Sequence, residues 1–162
     1  SGMTGACWRA WFNLGVARQM SGQTQKAQEA YERAVSMEGA SAEVFNNLGI
    51  VHFSLQQYEK SCRDYEKALA LDSLYAAAWN NLGGSRAALG RIGEAAAAYA
   101  QALAIKPDYP DAMVNFGMLL AERLERPDSA RALLERVLRT MPESPRRTSV
   151  ERFLDGLKDT AR

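Results

Sequence analysis

A repeat of 34 residues constrains the fold of this chain more than any other feature of its sequence. The clearest copy contains Trp79, Leu82 and Gly83, followed by Ala95, Tyr99, Ala102 and Pro107. Equivalent residues stand one period earlier at Phe45, Leu48, Gly49, Ser61, Tyr65 and Ala68, and two periods earlier at Trp11, Leu14, Gly15, Ala27, Tyr31 and Ala34. One period later come Met113, Phe116 and Gly117, and one extra residue then shifts the register to Ala130, Leu134, Val137 and Pro142. This period is typical of helix-turn-helix units that stack on their neighbours.

The order Trp-x-x-Leu-Gly, then Ala-x-x-x-aromatic-x-x-Ala, then Pro resembles the tetratricopeptide repeat family. The resemblance covers about residues 8–144 and divides them into four repeats, 8–41, 42–75, 76–109 and 110–144. It implies an all-α protein in which antiparallel helix pairs stack into a right-handed superhelical solenoid. Residues 1–7 are interpreted as a tag remnant or N-terminal extension, and residues 145–162 as a C-terminal capping helix and tail.

Residue spacing predicts two helices in each repeat. Trp11, Leu14 and Gly15 fall on one face of the first helix, and Ala27 and Tyr31 share a face of the second. Small residues allow the two helix axes to approach closely, and the aromatic residues fill the space beside them. The predicted helices span residues 8–20, 24–37, 43–55, 58–71, 76–89, 92–105, 110–123 and 128–140. The extra residue near 124–127 is expected to lengthen the turn of the fourth repeat.

The two ends of the repeat array differ. At the C-terminal end Thr148 and Glu151 fit a capping box, and an apolar stripe follows at Val150, Phe153, Leu154 and Leu157. We expect this helix to cover the open end of the last repeat, or alternatively to dock in a groove of a partner or of this chain. No comparable cap precedes Trp8, so Trp8 and Phe12 are expected to be exposed.

The charge balance argues against several classes of partner. The chain has 20 basic and 19 acidic residues and a net charge of +1, unlike a nucleic-acid surface or a polybasic membrane anchor. No apolar run is long enough to span a bilayer, and no secretory signal is visible. Cys7 and Cys62 lie far apart, so free thiols in the reducing cytoplasm are expected.

Asparagine recurs once in each repeat, immediately before the Leu-Gly pair or its equivalent, at Asn13, Asn47, Asn81 and Asn115. Core packing does not require this residue, because asparagine is a mediocre helix former and a buried unpaired amide is costly. The amide offers two donors and an acceptor, so it can hold the N–H and C=O groups of a peptide. The register predicts a ladder of amides along one wall of the superhelix. Alternatively, these amides satisfy helix ends or each other, and both roles can coexist.

In the family the equivalent position lines the concave groove, so the resemblance implies that an asparagine ladder grips an extended peptide there. The remaining candidate peptide-binding residues are Phe12, Val16, Glu43, Asn46, Ile50, Phe53, Asn80, Gly84, Asp111, Val114 and Met118. Family members that bind acidic C-terminal tails of heat-shock chaperones need basic residues where Ala77 and Asn81 stand. An acidic chaperone tail is therefore not expected, and Glu43 and Asp111 favour a neutral or mildly basic peptide.

The sequence shows no arrangement of residues that would support catalysis. His52 is the single histidine, and neither a Cys-x-x-Cys pair nor a carboxylate cluster accompanies it, so half-buried packing is the expected role. We therefore expect no catalytic residue, no metal site and no cofactor. The sequence predicts a non-catalytic adaptor that binds an extended peptide segment of a partner protein, without nucleic acid or membrane. The alternatives are a scaffold that self-associates through its repeat ends, and a substrate-recruiting arm of a larger enzyme.

Overall fold

The computed structural model describes residues 4–159, which form nine α-helices and no strand. The helices are α1 (Thr4–Met20), α2 (Thr24–Val35), α3 (Ala42–Ser54), α4 (Tyr58–Leu71), α5 (Ala76–Ala88), α6 (Ile92–Ile105), α7 (Pro110–Glu122), α8 (Pro127–Leu138) and α9 (Pro145–Asp159). Helix α1 begins at Thr4, before the predicted position, so residues 4–7 of the predicted extension 1–7 are helical. Residues 1–3 lie outside the described range. None of these helices is long and apolar enough to cross a membrane.

Consecutive helices pack as four pairs, α1 with α2, α3 with α4, α5 with α6 and α7 with α8, and each pair stacks on the next. The buried side chains form four clusters spread along the chain rather than one central core. The predicted all-α solenoid is therefore confirmed, and its stability depends mainly on contacts between neighbours.

A glycine of each first helix makes room for a large side chain of the second. A Cβ on Gly49 would lie 2.6 Å from the Tyr65 ring, which is 2% exposed. The same arrangement recurs as Gly15 with Tyr31, Gly83 with Tyr99, and Gly117 with Leu134. This confirms that the small residues allow close approach of the paired helices.

The turn inside each repeat requires one residue in the left-handed region of backbone space. Gly22 and Gly90 hold this position with φ of 74°, whereas the second repeat has Gln56 with φ of 59°. In the fourth repeat the left-handed residue is Glu125, with φ of 52°, one position later than the period predicts. The extra residue therefore lies before Glu125, between it and the end of α7.

Helix α9 packs on the last repeat and buries Val150 and Leu154 against residues of α7 and α8. The predicted capping box at Thr148 and Glu151 is wrong, because the helix begins earlier, at Pro145. The backbone N–H of Arg147 instead donates to Ser144 Oγ at 3.1 Å, so Ser144 caps the helix. Glu151 accepts a hydrogen bond from Arg147 Nε at 2.8 Å.

The opposite end of the solenoid leaves one face of α1 without a packed neighbour among residues 4–159. Trp8 and Phe12 are half-buried rather than exposed, because their rings pack together and Phe12 also contacts Tyr31. Leu14 on α1 is 38% exposed, whereas the equivalent Leu48 on α3 is 3% exposed. Leu48 is covered because a preceding helix pair packs on α3.

Candidate functional site

The recurring asparagines form hydrogen bonds between the first helices of adjacent repeats. Asn81 Nδ2 on α5 donates to Asn46 Oδ1 on α3 at 3.1 Å. Asn115 Nδ2 on α7 donates to Asn80 Oδ1 on α5 at 3.0 Å. Both distances are ordinary for amide hydrogen bonds, so the three helices are linked in the same way twice.

Two longer contacts within helices connect these bonds. Asn46 Nδ2 lies 3.5 Å from Asn47 Oδ1, and Asn80 Nδ2 lies 3.4 Å from Asn81 Oδ1. These distances indicate weak bonds, but they complete a continuous row from Asn115 to Asn47, which we call the amide chain. Asn46 and Asn80 are 4% and 6% exposed, so the amide chain gives hydrogen-bond partners to amides that would otherwise be buried without them.

The amide chain includes no asparagine of the first repeat, and its contact with that repeat is between Asn47 and the hydroxyl of Tyr31. Both inter-helix bonds run to a residue 35 positions earlier, and for Asn47 that position is Phe12, which offers no acceptor. Asn13 is exposed on α1 and has no hydrogen-bond partner for its side chain among the described residues. The structure thus has a row of five amides in the second, third and fourth repeats that bond each other, and Asn13 is not part of it.

A concave pocket of about 450 Å³ lies beside the amide chain. The residues that line it are Ile50, Phe53, Ser54, Tyr65, Asn80, Asn81, Gly84, Tyr99 and Asn115. Six of these were predicted from the groove face of the first helices. The other three are Ser54, Tyr65 and Tyr99, which were not predicted. The two tyrosines were missed because they follow the spacing of core residues. None of the residues that line this pocket carries a charge.

The remaining predicted site residues lie outside the pocket. Asp111 forms an ion pair with Arg146 of α9, which sequence reasoning also missed. Val114 is 4% exposed beneath α9 and offers little surface to a ligand, and Met118 packs on the same cluster. Phe12 and Val16 are half-buried on α1, and Glu43 is exposed at the start of α3.

Burial raises the pKa of both pocket tyrosines. Desolvation raises the pKa of Tyr99 to about 12 and raises that of Tyr65 further above its ordinary value. A neutral phenol can both donate and accept a hydrogen bond. The pocket therefore combines aromatic surface, amides and a hydroxyl donor without a charged group.

His52 has more polar surroundings than the sequence predicted. It is 5% exposed rather than half-buried, and its Nδ1 lies 2.5 Å from Asp64 Oδ2 on α4. Its Nε2 lies 3.9 Å from Glu32 Oε1 on α2 and has no hydrogen-bond partner. Two carboxylates, which the sequence pattern does not reveal, therefore lie near His52. Among residues 4–159, however, no group of three or more His, Cys, Asp or Glu side chains is placed to hold a metal ion.

The amides beside the pocket keep unused hydrogen-bonding capacity. Asn81 donates one of its two N–H groups to Asn46 and accepts one contact from Asn80. Asn115 donates once, and its oxygen has no donor among the described residues. Each of these two side chains therefore has a free N–H and a free lone pair, which match the C=O and N–H of a peptide unit.

Comparison with protein families gives three matches, each described as tetratricopeptide repeat. They cover residues 8–39, 40–108 and 86–150. Together these matches extend over all four helix pairs and into α9. A comparison of the sequence with curated proteins gives no match.

Solved structures with the same fold include proteins of different kinds. PilF of Pseudomonas aeruginosa is 25% identical, with a TM-score of 0.83 over 96% of this chain and 69% of that protein. MamA is also 25% identical, with a TM-score of 0.75 over 82% of this chain and 77% of the other. The second TPR domain of human RPAP3, solved with the HSP70 peptide SGPTIEEVD, is 25% identical with a TM-score of 0.66. That match covers 72% of this chain and 95% of the RPAP3 domain.

Proposed function

The chain belongs to the tetratricopeptide repeat family, and we propose that it is a non-catalytic module that binds an extended peptide segment of a partner protein. The observation that carries this proposal is the unused hydrogen-bonding capacity of Asn81 and Asn115 beside an uncharged pocket. Amides that bond only the ligand backbone would hold a peptide with little regard to its side chains. The peptide complex of the RPAP3 domain supports the general mode of binding.

The charge of the groove favours a different peptide from the acidic one that RPAP3 binds. Ala77 and Asn81 stand where a clamp for acidic tails would need basic residues. Asp111 is neutralised by Arg146, which leaves Glu43 as an exposed acid on the predicted groove face. We therefore propose a neutral or mildly basic peptide as the ligand.

The cytoplasm is the proposed location, because both cysteines are free thiols.

The experiment is a pull-down from source lysate with the wild-type chain beside the double variant Asn81→Ala, Asn115→Ala, read by mass spectrometry. Proteins that bind the wild type and are lost with the double variant would support the proposal. The matched control is Asn13→Ala, which removes an exposed asparagine outside the pocket. Circular dichroism must give the same helicity for all three proteins, because the amide chain also has a structural role. Equal recovery with the folded double variant would contradict peptide binding in this groove.

A second candidate is self-association through the N-terminal end, which the exposure of Leu14 favours. The equivalent residues Leu48 and Leu82 are only 3% and 1% exposed, because a preceding helix pair packs over each of them. Among the described residues, no helix pair packs over α1 in this way. A second copy that packs on this face would bury Leu14 in the same manner. Light scattering over a range of concentrations tests this, with Leu14→Glu as the disrupting variant. A wild-type chain that stays monomeric at high concentration would contradict self-association.

A further inference from the structure

The third repeat lacks a side chain at one position of the groove. Ile50, Gly84 and Met118 are equivalent residues of successive first helices, and Gly84 alone has no side chain, which leaves a gap beside Ile50. A Cβ on Gly84 would meet Tyr99 Oη at 3.7 Å and Phe53 Cε2 at 3.9 Å, which are ordinary contacts. Helix packing therefore does not require glycine at 84. The gap is part of the pocket described above.

The hydroxyl beside this gap has no internal partner. The equivalent tyrosine of the first repeat, Tyr31, donates to Gln19 Oε1 at 2.8 Å. In the third repeat the position of Gln19 is taken by Ala87, which cannot accept a hydrogen bond. No hydrogen-bonding group among residues 4–159 pairs with the Tyr99 hydroxyl. A polar group of this kind at the edge of a pocket is expected to bond a ligand or water.

The chemistry of the walls limits what can occupy the gap. Ile50 and Phe53 supply apolar surface, and Phe53 is 39% exposed although it is aromatic. Because no charged residue lines the pocket, a charged side chain would lose part of its hydration without gaining an oppositely charged partner. An uncharged apolar side chain would instead bury its surface and that of Phe53.

We propose that the gap over Gly84 is a specificity subsite that takes one apolar side chain of the bound peptide, while the Tyr99 hydroxyl donates to a carbonyl oxygen of its backbone. This inference rests on the proposed function, since it assumes a peptide in the groove. It adds a sequence preference at a single peptide position. Asn81 and Asn115 would hold the peptide backbone beside the gap, and the apolar side chain in the gap would fix the register.

The test selects ligands from a phage-displayed library of randomised peptides with the purified chain. The wild type is compared with Gly84→Met, which introduces the residue that the next repeat has at this position. Gly93→Met is the matched control, because Gly93 is also helical but lies outside the pocket, and a Cβ added there would meet no atom within 4 Å. Circular dichroism establishes that both variants fold, and if Gly84→Met does not, Gly84→Ala replaces it as a smaller obstruction in ordinary contact.

The wild type and Gly93→Met are expected to select peptides that share a large apolar residue at one position. The Gly84→Met variant should select peptides with glycine or alanine at that position. It should bind the peptides selected by the wild type at least about tenfold more weakly, as for one lost apolar contact. Tyr99→Phe should keep the preference and lose about tenfold in affinity, as for one hydrogen bond. The same selected residues with Gly84→Met and wild type would overturn the subsite alone. Failure of the wild type to select any peptide would overturn peptide binding and the subsite with it.

Discussion

The ring of Tyr99 occupies the space in which a side chain on Gly83 would begin. A Cβ on Gly83 would lie 2.7 Å from both Cδ1 and Cε1 of that ring, closer than side chains approach in folded proteins. Tyr99 is 4% exposed and packs within the cluster that includes Ala95 and Leu119. The ring therefore has little room to move away, and α5 and α6 can approach each other only with glycine at 83.

Gly83→Ala is expected to lower the free energy of unfolding by about 1–3 kcal/mol, because the added methyl group overpacks the contact with Tyr99. The control is Gly93→Ala in α6, where a Cβ meets no atom within 4 Å. That change should be neutral or stabilise the chain by up to about 1 kcal/mol through helix propensity. Urea denaturation followed by circular dichroism measures both. Equal stability of Gly83→Ala and the wild type would contradict the close contact.

The fold could be predicted because its determinants are local and repeated. Gly49 and Tyr65 form the same pair as Gly83 and Tyr99, one period earlier, so each copy supports the helix assignment of the other. The start of α9 was mispredicted because Thr148 and Glu151 match a cap pattern, whereas Ser144 makes the cap. Short polar patterns of this kind occur by chance, and the packing of Val150 and Leu154 determines where the helix lies.

The groove was only partly predictable, because its composition depends on contacts between repeats. Helical spacing identified Asn81 and Gly84, which lie on the groove face of one helix. It did not identify Tyr99, whose ring is in the core while its hydroxyl reaches the pocket. Helical spacing also could not show that Arg146 pairs with Asp111. Arg146 lies on α9, which follows the extra residue and is not part of the repeat pattern.

Asn80→Ala is expected to destabilise the chain by about 1–2 kcal/mol, because it removes the acceptor of Asn115 and leaves that amide without its inter-helix bond. Asn13→Ala is the control, since its side chain is exposed and bonds no described residue. It should change the free energy of unfolding by less than about 0.5 kcal/mol. Denaturant titration of the two variants compares these effects. Similar small losses at both positions would show that the amide chain contributes nothing to stability.

Asp64→Ala should destabilise the chain by about 2–3 kcal/mol, because His52 Nδ1 would be buried without its partner while Nε2 already has none. Asp108→Ala is the control, because Asp108 is 88% exposed and its ion pair with Arg136 is on the surface. Exposed pairs of this type contribute about 0–1 kcal/mol. Thermal and urea unfolding at neutral pH measure the difference. A loss at position 64 no larger than that at position 108 would contradict a structural role for the buried pair.

Raising the pH above 10 is expected to destabilise the fold. The folded state raises the pKa of Tyr99 from its ordinary value of 10.0 to about 12, so it keeps a proton that the unfolded chain releases. The contribution of Tyr99 is fully present below pH 10 and is lost as the pH rises through about 12. Tyr99→Phe should make this decline shallower, as measured by urea unfolding at several pH values. The same decline in the variant and the wild type would assign the loss to other groups.

Leu154→Ala tests whether α9 stabilises the end of the solenoid rather than the whole chain. Leu154 is 5% exposed and packs with Val114 and Val150, so its truncation should cost about 2–4 kcal/mol. Because repeats stabilise mainly their neighbours, the loss should be concentrated in α7, α8 and α9. Amide hydrogen exchange should accelerate there and stay unchanged in α1 to α4. Leu74→Ala is the control, since Leu74 is 72% exposed and its truncation should leave exchange unchanged throughout. Uniform acceleration along the chain after Leu154→Ala would show instead that the four repeats unfold as a single cooperative unit.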